Sequence, residues 1–348
     1  MVLTRTQRLD SAPARQVTCL TVTHARTIAV YAAITLAAVA TLTASTMFGS
    51  VELQLGEMWH SLWSESSLAH DVIFELRVPR ALSAFGAGSA LALAGVLMQV
   101  LLRNPLADPF VMGVSGGAAV AALSAMMLGL SGLLIDISAI VGALAATLLV
   151  FALAHDEGSW APVRLLLTGI VIAAGTSAIV TMLLALGEDR ELRGMLFWLM
   201  GDLSIADRPV PLLLLSALGL VLGVPIARHL NLLARGELQA RALGVPVNAL
   251  RIAIFIASSV LTAAAVTSAG TVGFVGLVTP HLVRLMLGSN HRVVIPAAAL
   301  LGGTLVMFAD LCARTLFAPR QLPVGALTAM VGVPLFLILM RRDARARS

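Results

Sequence analysis

Apolar runs of about twenty residues, separated by short arginine-bearing polar stretches, organise this chain from end to end. A helix needs roughly 20 apolar residues to cross the hydrocarbon core of a bilayer. By that measure the first half gives Thr27–Met47, Ala81–Leu102, Phe110–Leu130, Ile135–Ala154 and Leu165–Leu186. The second half gives Pro211–Ala227, Leu250–Ala269, Thr271–Leu287, Val293–Ala313 and Pro323–Met340. The eighth run opens on Gly270, Gly273 and Gly276 and then meets Pro280, a broken start for a plain helix. The pattern predicts an all-α integral membrane protein with ten transmembrane helices.

The same pattern divides the chain into a polar tail at 1–26, a single membrane domain at 27–340 and a second polar tail at 341–348. The first run is longer than a secretory signal core and no A-x-A site follows it, so an uncleaved first span is expected. Composition agrees. Apolar residues make up 59% of the chain and charged residues 12%, and the mean hydropathy is +0.95. A soluble globule carries about 25% charged residues. So few charges could not cover 348 residues with a wettable surface.

Charge then sets an orientation. With ten spans both termini lie on one side, and Arg103, Arg164, Arg228, Arg235, Arg241, Arg251 and Arg292 join the terminal arginines there. Arg77, Arg80, Arg190, Arg193, Arg208, Arg314 and Arg320 fall on the other side, which is net acidic. The excess of arginine places the termini in the cytoplasm. All 23 basic residues are arginine. A G-x-x-x-x-G-K-[ST] phosphate loop needs a lysine, so this chain is not its own conventional ATPase. Cys19 and Cys312 are read as two unpaired thiols.

Small residues recur inside the spans, as in Gly86-Ala87-Gly88-Ser89-Ala90 and Gly116-Gly117-Ala118-Ala119, and fit close helix packing. The longest polar loop, at about 228–250, contains Gly236 to Pro246, which reads as a short amphipathic helix stopped by Gly244. Such a helix suits docking of a cytoplasmic partner, or rest on lipid headgroups.

Several blocks lie in order along the chain: Arg77-Val78-Pro79-Arg80, Gly95-Val96-Leu97-Met98-Gln99, Arg103-Asn104-Pro105-Leu106-Ala107-Asp108-Pro109 and Gly113-Val114-Ser115-Gly116-Gly117-Ala118. Gly236-Glu237 with Ala242-Leu243-Gly244 follows, then Gly273-Phe274-Val275-Gly276-Leu277-Val278 with Pro280-His281. Ala309-Asp310 with Ala313-Arg314, and Leu322-Pro323-Val324-Gly325, complete the set. Together they resemble the FecCD/BtuC-type permeases, the family that imports ferric siderophores, haem and cobalamin by ATP-binding-cassette (ABC) transport.

The resemblance implies a BtuC-like type II importer permease with ten spans per subunit. Its partners would be a second copy of itself, two cytoplasmic ABC ATPase subunits and a periplasmic substrate-binding protein, with no nucleic acid. ATP and Mg would be bound by the ATPase, leaving no cofactor, metal or catalytic residue on this chain. The loop helix would couple to the ATPase through Glu237, Ala240, Arg241 and Gly244. Arg77, Arg80 and Arg314 would dock carboxylates of the binding protein, a task that suits the bidentate arginine fork. The plainer account of these arginines is snorkelling, or pairing with Glu75 and Asp310. The resemblance puts the inner gate at Ala161, Pro162 and Val163. The cargo it implies is an iron chelate, haem or a ferric siderophore, with cobalamin the alternative.

Other chemistries are weaker. Gly113-Val114-Ser115-Gly116 with His281 imitates an intramembrane serine protease, which would need the two side chains within bonding reach. His60 and His70 could ligate haem, but they show no ligand spacing. An ion-coupled secondary transporter would carry acids mid-membrane, whereas Asp136 and Asp310 fall near span ends.

Overall fold

The computed structural model describes residues 24–49, 56, 63, 67–154, 162–204, 206 and 208–347. All regular structure among these residues is helical. In chain order the helices are α1 His24–Met47, α2 Val78–Leu101, α3 Val114–Met127, α4 Leu133–Ala154, α5 Pro162–Leu186 and α6 Asp189–Met200. Then come α7 Pro209–Arg235, α8 Glu237–Ala242, α9 Val247–Ala269, α10 Val275–Leu287, α11 His291–Thr315 and α12 Val324–Arg347.

Seven of them among the described residues are long and apolar enough to cross a membrane: α1, the Leu68–Leu101 run that includes α2, α4, α5, α7, α9 and α11. The third, eighth and tenth predicted runs fall on shorter apolar helices, Val114–Met127, Val275–Leu287 and Val324–Ile338. Local geometry shortens two of them. Pro109–Met112 winds as a tight 3-10 turn and Gly113 takes φ 72, so α3 begins only at Val114. Gly270 and Phe274 take φ 66 and 67, which holds residues 270–274 out of the helix and delays α10 to Val275. The stretch between the fifth and sixth predicted spans is more than a loop. It contains α6, which turns Met195 and Trp198 inward.

Helix α2 is the axis of the fold. Every residue from Gly86 to Leu101 is buried, and α7, α9, α10 and α11 pack around it. Small residues permit this, as their pattern predicts. A Cβ on Gly88 would overlap the Gly302 carbonyl of α11, and one on Gly95 would overlap the Gly276 carbonyl of α10. Backbones in such contact gain dispersion and leave no room for a methyl group. A π-helical turn at Asp71–Arg77 leads into α2 and swings the side chain of Arg77 inward. By contrast, α5 presents Leu167, Val171 and Met182 outward, a face suited to lipid or another apolar surface.

Candidate functional site

The polar residues of the helix ends gather into two groups, one at each end of α2. The first joins the end of α1, the start of α2 and the end of α11. Arg77 donates from Nη1 to the Thr46 and Met47 carbonyls at 2.9 and 2.8 Å, closing the C-terminus of α1. A cation there satisfies orphan carbonyls and the negative end of the helix dipole together. Arg80 grips Asp310 with Nε at 3.0 Å and Nη2 at 2.9 Å, and its Nη1 donates to Gln321. Arg314, one helical turn beyond Asp310, donates from Nη2 to the Ser45 carbonyl at 2.6 Å. Its Nε lies 3.6 Å from Asp310 Oδ2.

The three arginines expected to dock a binding protein are therefore brought together, and all three are engaged within the chain. Arg77 and Arg314 are each 4% exposed. Arg80 is less enclosed, at 12% exposed. The pairing of Arg80 with Asp310, the plainer sequence reading, is what the structure contains. Glu75, the other suggested partner, forms none of these bonds.

The second group surrounds α8. Gly236 takes φ 146 and turns the chain from α7 into the short helix, and Gly244 takes φ 76 to leave it. Left-handed geometry of that kind favours glycine. Glu237 Oε1 accepts from Arg241 Nη2 at 2.9 Å, and its Oε2 accepts from Arg251 Nη2 at 2.7 Å. One carboxylate thus fastens α8 to the start of α9. Burial alone would raise the Glu237 carboxyl, but the bonds from Arg241 and Arg251 prevail and hold it below the usual carboxylate range. Arg241 also donates to Asn248.

Of the four coupling residues read from the sequence, Arg241 and Gly244 face outward and Glu237 acts as the clamp. Ala240, the fourth, is fully buried against the core and seats the helix. Sequence reasoning passed over Leu238 and Leu243, which are 84% and 65% exposed. Two leucines flanking a charged turn in a polar loop were the available signal.

Of the three gate residues, Ala161 lies outside the described residues, Pro162 opens α5, and Val163 points outward. His60 and Cys19 also lie outside the described residues, as does most of the 1–26 tail. Ser115 sits in the first turn of α3, which packs on α4, α5 and α9, while His281 sits on α10 against α2 and α11. His70 stacks on Phe74 with ring centroids 4.7 Å apart. Among the described residues, no three of His, Cys, Asp or Glu gather as a metal site. Asp310 is 1% exposed and is held by Arg80, with Arg314 Nε 3.6 Å away.

Comparison with known proteins places this arrangement. The chain is 40% identical over 314 residues to the hemin transport system permease protein HmuU of Yersinia pestis, covering 87% of this chain and 92% of that protein. It is 36% identical over 300 residues to the vitamin B12 import system permease protein BtuC of Salmonella typhi, covering 85% and 91%. A solved inward-facing structure of a metal-chelate type ABC transporter superposes with a TM-score of 0.78 at 32% identity, covering 90% of this chain and 99% of that one. The family match runs over residues 35–342 and takes in both polar ends and the helices between them: the chain belongs to the FecCD transport family.

Proposed function

We propose that this chain, a multi-pass membrane permease of the metal-chelate type of ABC importer, carries an iron chelate from periplasm to cytoplasm, with haem its first candidate. The observation that carries the importer reading is the segment around α8. It is a short helix clamped by Glu237 to Arg251, with two bare leucines facing outward where a soluble ATPase would seat. Two leucines exposed beside a clamped turn in a polar loop offer an apolar patch on which a partner can seat. The haem candidate rests on the similarity to the hemin permease. Cobalamin is the second reading, supported by the similarity to the vitamin B12 permease.

In this reading ten helices span the bilayer, α3, α10 and α12 completing the seven long ones, and both termini are cytoplasmic. Two copies enclose the path, and two ATPase subunits bind the α8 end. ATP and Mg reside on those subunits, and this chain performs no covalent chemistry. The binding protein meets the opposite end, where Arg77, Arg80 and Arg314 serve docking from inside by tying α1, α2 and α11 into one rigid surface. Ala161, Pro162 and Val163 narrow the inner mouth. Transport proceeds by alternating access.

Reconstitution with the ATPase and binding protein in proteoliposomes tests this. Radiolabelled haem, a ferric siderophore and cobalamin are supplied separately, with and without ATP. ATP-dependent accumulation of haem is expected. Accumulation of cobalamin alone would transfer the substrate to the second reading. Uptake driven by a proton gradient without the ATPase would remove the importer reading altogether.

A further inference from the structure

A cavity of about 600 Å³ opens at the α8 end of the bundle, between the ends of α2 and α7 and the junction of α10 with α11. Among the described residues its charged lining is of one sign: Arg103, Arg235 and Arg284 contribute guanidinium groups, and no carboxylate lines it. The remaining polar lining is neutral amide and hydroxyl, with His291 beside it. Among the described residues none of the three arginines forms an ion pair.

Arg284 is the telling member. It is half-buried, and its bond is to the neutral Oε1 of Gln99. Gln99 is itself fixed, since its Nε2 donates to the Leu277 carbonyl at 3.3 Å. The rim is fixed as well. Asn231 accepts from the His291 backbone N–H at 2.9 Å and donates to Asn290 Oδ1 at 3.1 Å. A partly desolvated guanidinium without a counter-charge is costly, and removing water from a charge is repaid only by a close opposite charge. Arg103 adds a second oddity, a non-glycine residue held at φ 48 at the mouth of the cavity.

We propose that this cavity binds a phosphate-bearing anion through Arg103, Arg235 and Arg284. Guanidinium forks match phosphate oxygens bidentately and stay charged at any physiological pH. The phosphate comes from an anionic lipid headgroup or from free phosphate. Volume and place favour the headgroup: the space far exceeds one phosphate ion, and it lies among the ends of apolar helices where a leaflet surface would be. Basic pockets between transmembrane helices are suited to such headgroups.

The full chain, purified in neutral detergent, is titrated separately with short-chain phosphatidylglycerol, short-chain phosphatidylcholine and inorganic phosphate while thermal unfolding is followed. Phosphatidylglycerol is expected to raise Tm and phosphatidylcholine is not. A rise with inorganic phosphate as well identifies free phosphate as sufficient, and a rise with the lipid alone identifies the headgroup. Arg284→Gln could disturb folding through Gln99, so the Arg103→Gln/Arg235→Gln variant carries the test, both side chains being exposed. Its apparent affinity should fall about tenfold or more. No shift with either anion, equal shifts for both lipids, or an unaltered affinity in the double variant each overturns the proposal. So does failure of Arg103→Glu/Arg235→Glu to bind the ATPase when the parent shows no anion-dependent shift, which assigns the cavity to a protein interface.

Discussion

Arg80 and Asp310, 230 residues apart in sequence, meet in a fork in which Nε and Nη2 both donate to Oδ1, at 3.0 and 2.9 Å. The carboxylate is 1% exposed and also faces Arg314. One acid thus stands between two guanidinium groups at the point where α2 and α11 come together. Breaking a buried pair costs far more than the pair contributes, because the surviving charges lose their only compensation.

Asp310→Asn keeps the shape and removes the charge, leaving Arg80 and Arg314 to repel each other. A loss of about 3–5 kcal/mol is expected. Arg320→Gln, at an exposed position of the same end, should change stability by less than about 0.5 kcal/mol. Unfolding midpoints of the two variants in one detergent give the comparison, and equal midpoints would remove the network from the fold's essential contacts.

Reversal at Arg77 or Arg80 should lower affinity for the binding protein about tenfold or more, as loss of a charge-assisted contact would. Because both side chains are turned inward, the same variants should also unfold at lower temperature when alone. A reciprocal charge swap on the binding protein should fail to restore binding. Restoration without any loss of Tm would establish direct contact across the interface and displace the internal account.

Orientation is open to labelling. In a chain lacking Cys19 and Cys312, a single cysteine at Ser204, an exposed position after α6, should react in intact cells with an impermeant thiol reagent. A cysteine at Ser348 should react only after lysis. The opposite outcome would invert the arginine argument and put the α8 end outside.

Glu237 gives the α8 segment a pH signature. Its carboxyl is held below the usual range, so its contribution to stability is present above the unfolded carboxyl value of about 4.3 and is lost as pH falls through the depressed folded value. The gap in stability between the parent and Glu237→Gln should therefore stay constant from pH 8 to about 5 and close below about 4. Denaturant titrations at those pH values measure it. A gap that opens only in acid would reverse the sign and disprove the clamp.

Much of this was legible from residue pattern. Periodic apolar runs disclosed the long helices, because lipid leaves the backbone no alternative to internal hydrogen bonding. Gly88, within a run of small residues, announced a close crossing in the same way. What pattern could not convey was direction. Arg77, Arg80 and Arg314 read as outward docking groups because each ends a span, and only the folded chain shows Thr46, Met47, Ser45 and Asp310 waiting for them. Arg284 stayed hidden for a related reason. One arginine inside an apolar run carries no sign of the cavity that three other segments build around it. Ala240 and Leu238 differ by half a helical turn, and a six-residue helix is too short for periodicity to say which face is buried.

The two exposed leucines give the decisive test of coupling. Leu238→Asp and Leu243→Asp alter side chains that touch water already, so each should change the stability of the isolated chain by less than about 0.5 kcal/mol. At an interface the same changes bury an unpaired carboxylate against the partner, which costs about 2 kcal/mol or more and weakens association about thirtyfold. The purified permease alone should hydrolyse no ATP, and hydrolysis should appear only with the ATPase present. Binding-protein-stimulated hydrolysis should then be lost in both variants, while basal hydrolysis by the free ATPase is unchanged. Gly244→Val, which forces a β-branched residue into φ 76, should lose stimulation in the same way at a measurable cost in Tm. Wild-type stimulation by the Leu238→Asp/Leu243→Asp double variant, in a chain of unaltered Tm, would show that the ATPase seats elsewhere.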